Sequence, residues 1–125
     1  MRLLTTADLD DIAFGAAVLG TGGGGDPYIG KLLARTAIQR NGPVSLVTLD
    51  EVPDDARVIT CGAMGAPTIV LEKVPSGEEM LMALRYHEQV TGRKVTHIMP
   101  FEAGGLNSCF PIVLAAQTGL PLIDA

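Results

Sequence analysis

The side chains in this sequence that could do chemistry are few, and most of them stand beside glycines. Glu102-Ala103-Gly104-Gly105-Leu106-Asn107 places a carboxylate, a glycine turn and a side-chain amide within one short segment. A carboxylate in such a loop can act as a general base, ligate a metal, or accept an amide N–H from a substrate. Asn107 adds both a donor and an acceptor. The competing reading is a solvated Glu102 and an Asn107 that only caps a helix. Gly22, Gly23, Gly24 and Gly25 run consecutively into Asp26-Pro27. Glycines take left-handed backbone and let a ligand approach the main chain. Asp26-Pro27 signals a helix start, whose free amides favour an anion or a carbonyl oxygen. The same string would equally serve as a flexible connector between helices. It carries neither the strand-turn-helix glycine fingerprint of a dinucleotide site nor the lysine-serine pair of a P-loop.

Further candidates come singly. Asp124 closes the final apolar run, and Met64-Gly65 sits in the small-residue stretch Gly62 to Pro67. Cys61 stands just before Gly62; a thiolate nucleophile is one reading, and a buried structural cysteine is the commoner case. Cys109 falls in the first turn of an expected helix, where the dipole can lower a thiol pKa, and a buried structural cysteine is again the commoner case. His87 and His97 are isolated, one on a helix and one in a strand, and are read as structural. Asp26, Glu102 and Asp124 are thus the candidate catalytic carboxylates. Gly22 to Gly25, Met64, Gly65, Gly104, Gly105 and Asn107 are the candidate substrate-binding positions.

The elements that must hold these loops follow from periodicity. Leu9, Ile12, Ala13, Ala16, Ala17 and Leu19 recur at helical spacing behind Thr6 as a cap, with Gly20 as the stop. Asp26-Pro27 opens a second helix that ends at Asn41-Gly42. Val44 to Leu49 and Val58 to Cys61 read as strands. Ser76 to Glu79 has capping-box spacing before a helix that ends at Gly92. Val95 to Met99 is a strand, Asn107 or Ser108 caps a helix that ends at Gly119, and Leu120 to Ile123 is the last strand. This alternation predicts an α/β fold, a layered α/β/α sandwich with a mostly parallel sheet. In such sheets ligands gather at the carboxyl ends of strands, which puts 62–67, 100–105 and the segment after Asp124 at one end.

Composition bounds the rest. The 125 residues are 47% hydrophobic and 18% charged, enough for a single domain with one core over 1–125. A net charge of -5 repels phosphate backbones and argues against nucleic acid. Two well-separated cysteines suggest neither a disulfide framework nor a zinc knuckle. No apolar stretch is long enough for a membrane span, and acidic residues interrupt any signal-peptide core, so an intracellular protein is expected.

Taken together, Leu19 to Tyr28, Cys61 to Thr68, Glu72-Lys73, Glu102 to Asn107 and Gly119 to Ala125 resemble the N-terminal domain of the S-methyl thiohydantoin desulfurase family. The Gly-Thr-Gly-Gly-Gly-Gly-Asp-Pro and Glu-x-Gly-Gly-x-Asn strings carry most of that resemblance. It implies a cytoplasmic bacterial or archaeal protein of hydantoinase and oxoprolinase context, acting on a hydantoin-like or thiohydantoin-like cyclic amide by hydrolysis or desulfuration. It also implies a smaller β-rich domain after the α/β one, so the chain is expected to be the N-terminal part of a longer two-domain protein. In that reading the acidic residues activate water, a divalent metal being one possible aid, and glycine amides hold carbonyl oxygen. The alternative is a non-catalytic binding or assembly module accompanying a hydantoinase-type enzyme. A homo-oligomer is expected, with the exposed sheet edge as the subunit contact.

Overall fold

Short polar and glycine signals set where most elements begin and end. A computed structural model describes all 125 residues. The elements in order are β1 (Arg2–Leu4), α1 (Leu9–Gly20), α2 (Pro27–Asn41), β2 (Val44–Thr48), β3 (Val58–Cys61), α3 (Pro67–Glu72), α4 (Glu79–Thr91), β4 (His97–Pro100), α5 (Phe110–Thr118) and β5 (Leu122–Asp124). The five strands form one sheet in the order β1-β2-β5-β4-β3. Every neighbouring pair is parallel except β1–β2. The fold is therefore α/β with a mostly parallel sheet, as the alternation of elements predicts.

Asp26 caps α2: its carboxylate accepts the Tyr28 N–H at 2.8 Å and Pro27 takes the first helical position. Gly92 and Gly119 end α4 and α5 in left-handed conformations, φ 66° and 74°. Glu79 receives the Ser76 N–H and hydroxyl, so the capping contact expected at α4 forms.

Several expectations are corrected. Thr5, not Thr6, caps the first helical segment, accepting from the Ala7 N–H, and that segment opens with a 3-10 turn over Thr6–Asp8. Gly20 is the last residue of α1 rather than its stop. A side chain at Gly20 would press within 3.2 Å of the Ala103 carbonyl oxygen, so the glycine serves close packing. The left-handed cap passes to Thr21, φ 48°, the only non-glycine residue with positive φ. Neither Asn107 nor Ser108 caps α5; Cys109 holds that position without a side-chain bond. The last two strands begin two residues later than expected, at His97 and Leu122. The short strand β1 and the six-residue α3 escaped sequence reading, the first because three residues show no alternation, the second because Ala66 offers no side-chain cap.

The core centres on α5. Seven of its nine residues, Phe110 to Ala116, are buried. It lies against β2, β3, β4 and β5, with α2 and α4 packed beside it and α1 on α2. Val44, Ile98 and Leu122 from the sheet join Ile112, Val113 and Leu114 in one apolar cluster.

Candidate functional site

Parallel pairing of β3 and β4, with Cys61 opposite Pro100, sends both following loops out of the same end of the sheet. Asn107 ties those loops together. It is 2% exposed, the one buried polar side chain of the core. Its Oδ1 accepts the Ala63 N–H at 2.8 Å and its Nδ2 donates to the Ala63 carbonyl at 3.0 Å, a two-bond pairing like that between strands. The second Nδ2 hydrogen goes to Glu102 Oε1 at 2.6 Å. The Glu102–Asn107 pair is therefore held to loop 62–66 by main-chain bonds, and Asn107 is a tertiary clamp rather than a cap.

The glycine run is seated against the same turn. Gly105 N–H donates to the Gly23 carbonyl at 3.1 Å, while Leu106 and Asn107 N–H converge on the Gly24 carbonyl at 2.8 and 3.0 Å. Such contact requires bare main chain on both sides. A Cβ on Gly104 would stand 2.6 Å from Gly24 Cα, and one on Gly24 would collide with Gly104 Cα and lie 2.8 Å from Glu102 Oε1. Gly24 and Gly25 also need positive φ, 71° and 86°. This run is packed structure, not a slack connector. Gly22 differs: nothing lies near its Cβ position, and only its φ of 93° calls for glycine.

Two cavities flank the clamp. One of about 200 Å³ is lined by Gly24, Gly25, Met64, Gly65, Leu106 and Asn107, among others. The amides of Gly24, Gly25, Met64 and Gly65 donate to no backbone carbonyl, so this wall is rich in unpaired N–H groups. The other, about 270 Å³, is lined by Phe101, Glu102, Ser108 and Ala125. Glu102 is the sole charged side chain lining either cavity. The first cavity offers N–H donors to a carbonyl-bearing molecule, and the proton acceptor lines the second, beyond the Glu102–Asn107 pair.

The structure thus brings together Gly24, Gly25, Met64, Gly65, Gly104, Gly105, Glu102 and Asn107. It does not bring Asp26 or Asp124 into either cavity. Asp26 is exposed and its carboxylate is used as the α2 cap. Asp124 is exposed at the end of β5, opposite Thr48. Gly22 and Gly23 line neither cavity, and Gly23 meets the 102–107 turn only through its carbonyl. No group of three His, Cys, Asp or Glu side chains comes together, so the acidic residues do not form a metal-ligand set. Burial pushes the Cys61 thiol up to about 12 and the Cys109 thiol to about 11, which favours the structural reading of Cys109 over the dipole-lowered one. Neither thiol is poised as a nucleophile. Ala63 was missed by sequence reading, because it acts through its main chain, which leaves no residue-type signal.

The sequence profile of the family described as "S-Me-THD-like, N-terminal domain" matches residues 7–125. Among solved structures, an X-ray structure of a protein from Chromobacterium violaceum is similar over 100% of this chain, with 27% identity and a TM-score of 0.76. The chain spans 35% of the length of that protein. Among functionally curated proteins no match is found.

Proposed function

The chain belongs to the S-Me-THD-like family, whose N-terminal domain it carries, and we propose that its loop crevice binds a hydantoin-like or thiohydantoin-like cyclic amide and promotes attack of water on the ring. The observation that carries this reading is the Glu102–Asn107–Ala63 clamp, with a cavity lined by residues of unpaired amides on one side and the cavity lined by Glu102 on the other. In this reading the N–H groups of Gly24, Gly25, Met64 and Gly65 hold a ring carbonyl and the negative charge that grows on it. Glu102 Oε1 is fixed by Asn107, which leaves Oε2 to take a proton from water as its oxygen bonds to the ring carbon bearing sulfur. The carbon–sulfur bond then breaks, the proton on Glu102 passing to the departing sulfur and the hydroxyl proton to the ring nitrogen that was doubly bonded to that carbon, which leaves a thiol and a ring carbonyl. The same positions would serve opening of an unsubstituted amide, with nitrogen as leaving group. Because the acidic residues do not cluster, no step runs through a metal.

Glu102→Gln tests this reading, since glutamine keeps the acceptor for Asn107 and removes the base. Turnover of an S-methyl thiohydantoin by the purified protein should fall by about 10²–10⁴. An unchanged rate takes Glu102 out of the mechanism.

A second reading, an assembly module, is favoured by one observation. Met82, Tyr86 and Val90 recur at helical spacing on α4 and are 65%, 69% and 67% exposed. Light scattering of the wild type against Tyr86→Glu checks it: a homo-oligomer that the charge dissolves supports it, and a monomer in both removes it.

A further inference from the structure

A separate cavity, about 250 Å³, lies between the last turn of α2, the 76–78 turn before α4 and the second half of α5. It shares no residue with either cavity of the crevice. Gly77 shapes it: at φ 88° this residue stands beside Leu33, and its carbonyl accepts Gln117 Nε2 at 2.7 Å. That bond fixes which way round the Gln117 amide stands, because the opposite orientation would set oxygen against oxygen. It leaves Gln117 Oε1 buried with no donor, the only buried side-chain polar atom of the molecule so placed. A buried acceptor without a partner is costly, so the donor is expected from outside the chain.

Other groups around this cavity also have free bonding capacity. Arg40, in the last turn of α2, forms no ion pair, and neither does Glu78, although both line the same space. Asn41 spends its Nδ2 on the Ala37 carbonyl at 2.9 Å, and its Oδ1 receives no hydrogen bond. The Ser76 and Thr36 hydroxyls are already committed, donating to Glu79 and to the Leu32 carbonyl. The cavity therefore offers one cation and three acceptors, one of them anionic, beside an apolar wall of Leu33, Leu81 and Val113.

We propose that this cavity binds a free α-amino acid with an aliphatic side chain. The carboxylate pairs with Arg40, whose planar fork of donors matches it. The ammonium group has three N–H donors, which answer Gln117 Oε1, Asn41 Oδ1 and the Glu78 carboxylate, and the C-terminal end of α2 adds negative potential there. The aliphatic side chain rests on Leu33, Leu81 and Val113. A simple anion would leave Gln117 and Glu78 unanswered, and a bare metal ion would face the Arg40 charge. The volume is below that of pockets for drug-sized ligands and suits a molecule this small. The proposal stands apart from the cyclic-amide reading, since none of these groups lines the crevice.

Side-chain amide 15N NMR of the purified protein reads the site directly, because Gln117 lines it while Gln39 and Gln89, both exposed, are controls. L-leucine should shift the Gln117 amide, leave Gln39 and Gln89 still, and give saturable binding by calorimetry. Leucinamide, which lacks the carboxylate, and N-acetyl-L-leucine, which lacks the ammonium, should each bind at least about tenfold more weakly. Glycine, which has no side chain to lay on the apolar wall, should be weaker by a similar factor. Arg40 and Glu78 are both exposed, so Arg40→Met and Glu78→Gln should keep the fold, as thermal melts would show, while the first abolishes leucine binding and the second weakens it. No Gln117 shift with leucine overturns the site, as does equal binding of leucine, leucinamide and N-acetyl-L-leucine. Undiminished leucine binding in folded Arg40→Met overturns the carboxylate's placement and the site with it. Glycine binding as tightly as leucine overturns the assignment to aliphatic amino acids.

Discussion

Asn107→Ala removes the clamp without touching either cavity's apolar walls. Asn107 is 2% exposed and makes three side-chain hydrogen bonds, two to Ala63 and one to Glu102. A neutral bond contributes about 1 kcal/mol and one to a charged group about 1.5–3 kcal/mol. Ala63 and Glu102 are both exposed enough to regain water, so the net cost comes to about 2–4 kcal/mol. With an unfolding entropy of about 2.1 cal/mol/K per residue, a chain of 125 residues should lose about 8–15 °C in Tm. Scanning calorimetry at pH 7 measures this. Asn107→Asp sharpens the test, because the new carboxylate meets Glu102 where the amide now donates at 2.6 Å. The pair would hold a proton more tightly folded than unfolded, so its folded pKa rises. The variant should then be least impaired at pH 5 and lose ground steadily towards pH 8. A Tm loss under about 4 °C for the alanine variant, with no pH trend for the aspartate, would falsify the clamp.

Three other outcomes follow from the geometry. Gly24→Ala meets Gly104 main chain at positive φ and should cost more than about 3 kcal/mol, whereas Gly22→Ala, strained only in φ, should cost about 1 kcal/mol; equal melting points in the two variants would contradict the packed glycine loop. The Cys61 thiol, raised from 9.0 to about 12, should carry about a thousandfold less thiolate at pH 8 than in urea, so native iodoacetamide labelling should be slow, and labelling at the unfolded rate would refute its burial. Glu88 is held below its usual 4.5 by Lys94 and by the Val95 N–H, so its contribution is present above that value and fades as pH falls through the lowered folded one; Glu88→Gln should therefore reduce Tm at pH 7 but little at pH 3, as thermal melts across that range would show.

Local signals made much of the frame legible. Asp26-Pro27, Asn41-Gly42, Gly92 and Gly119 bound their helices because capping chemistry acts within a turn. Val58 to Cys61 read correctly because four β-favouring residues sit between turn signals. The misreadings share one cause, namely contacts made far along the chain. β1 exists only through pairing with β2, Gly20 was spent on Ala103, and Asn107 looked like a cap while bonding across to Ala63. Among the carboxylates, residue type nominated Asp26, Glu102 and Asp124 alike. Only the fold separates Glu102, which lines a cavity, from the two that do not. Glycine strings hinted at close approach, but that Gly24 and Gly104 approach each other could not be read from either string alone.

The seating of the glycine loop also fixes the order in which the crevice can form. Gly24 and its partners Leu106 and Asn107 are about 80 residues apart in sequence, a long loop to close and a slow class of contact in folding. At roughly 5–20 residues per second of synthesis, the glycine run would wait on the order of ten seconds for its seat to be made. During that interval a stretch of bare backbone, with Thr21 under no pressure to stay left-handed, is open to proteases and to water. Limited proteolysis of nascent or truncated chains should cut there until the 102–107 turn emerges, and an N-terminal fragment ending before Glu102 lacks both the crevice and α5, on which the core is built.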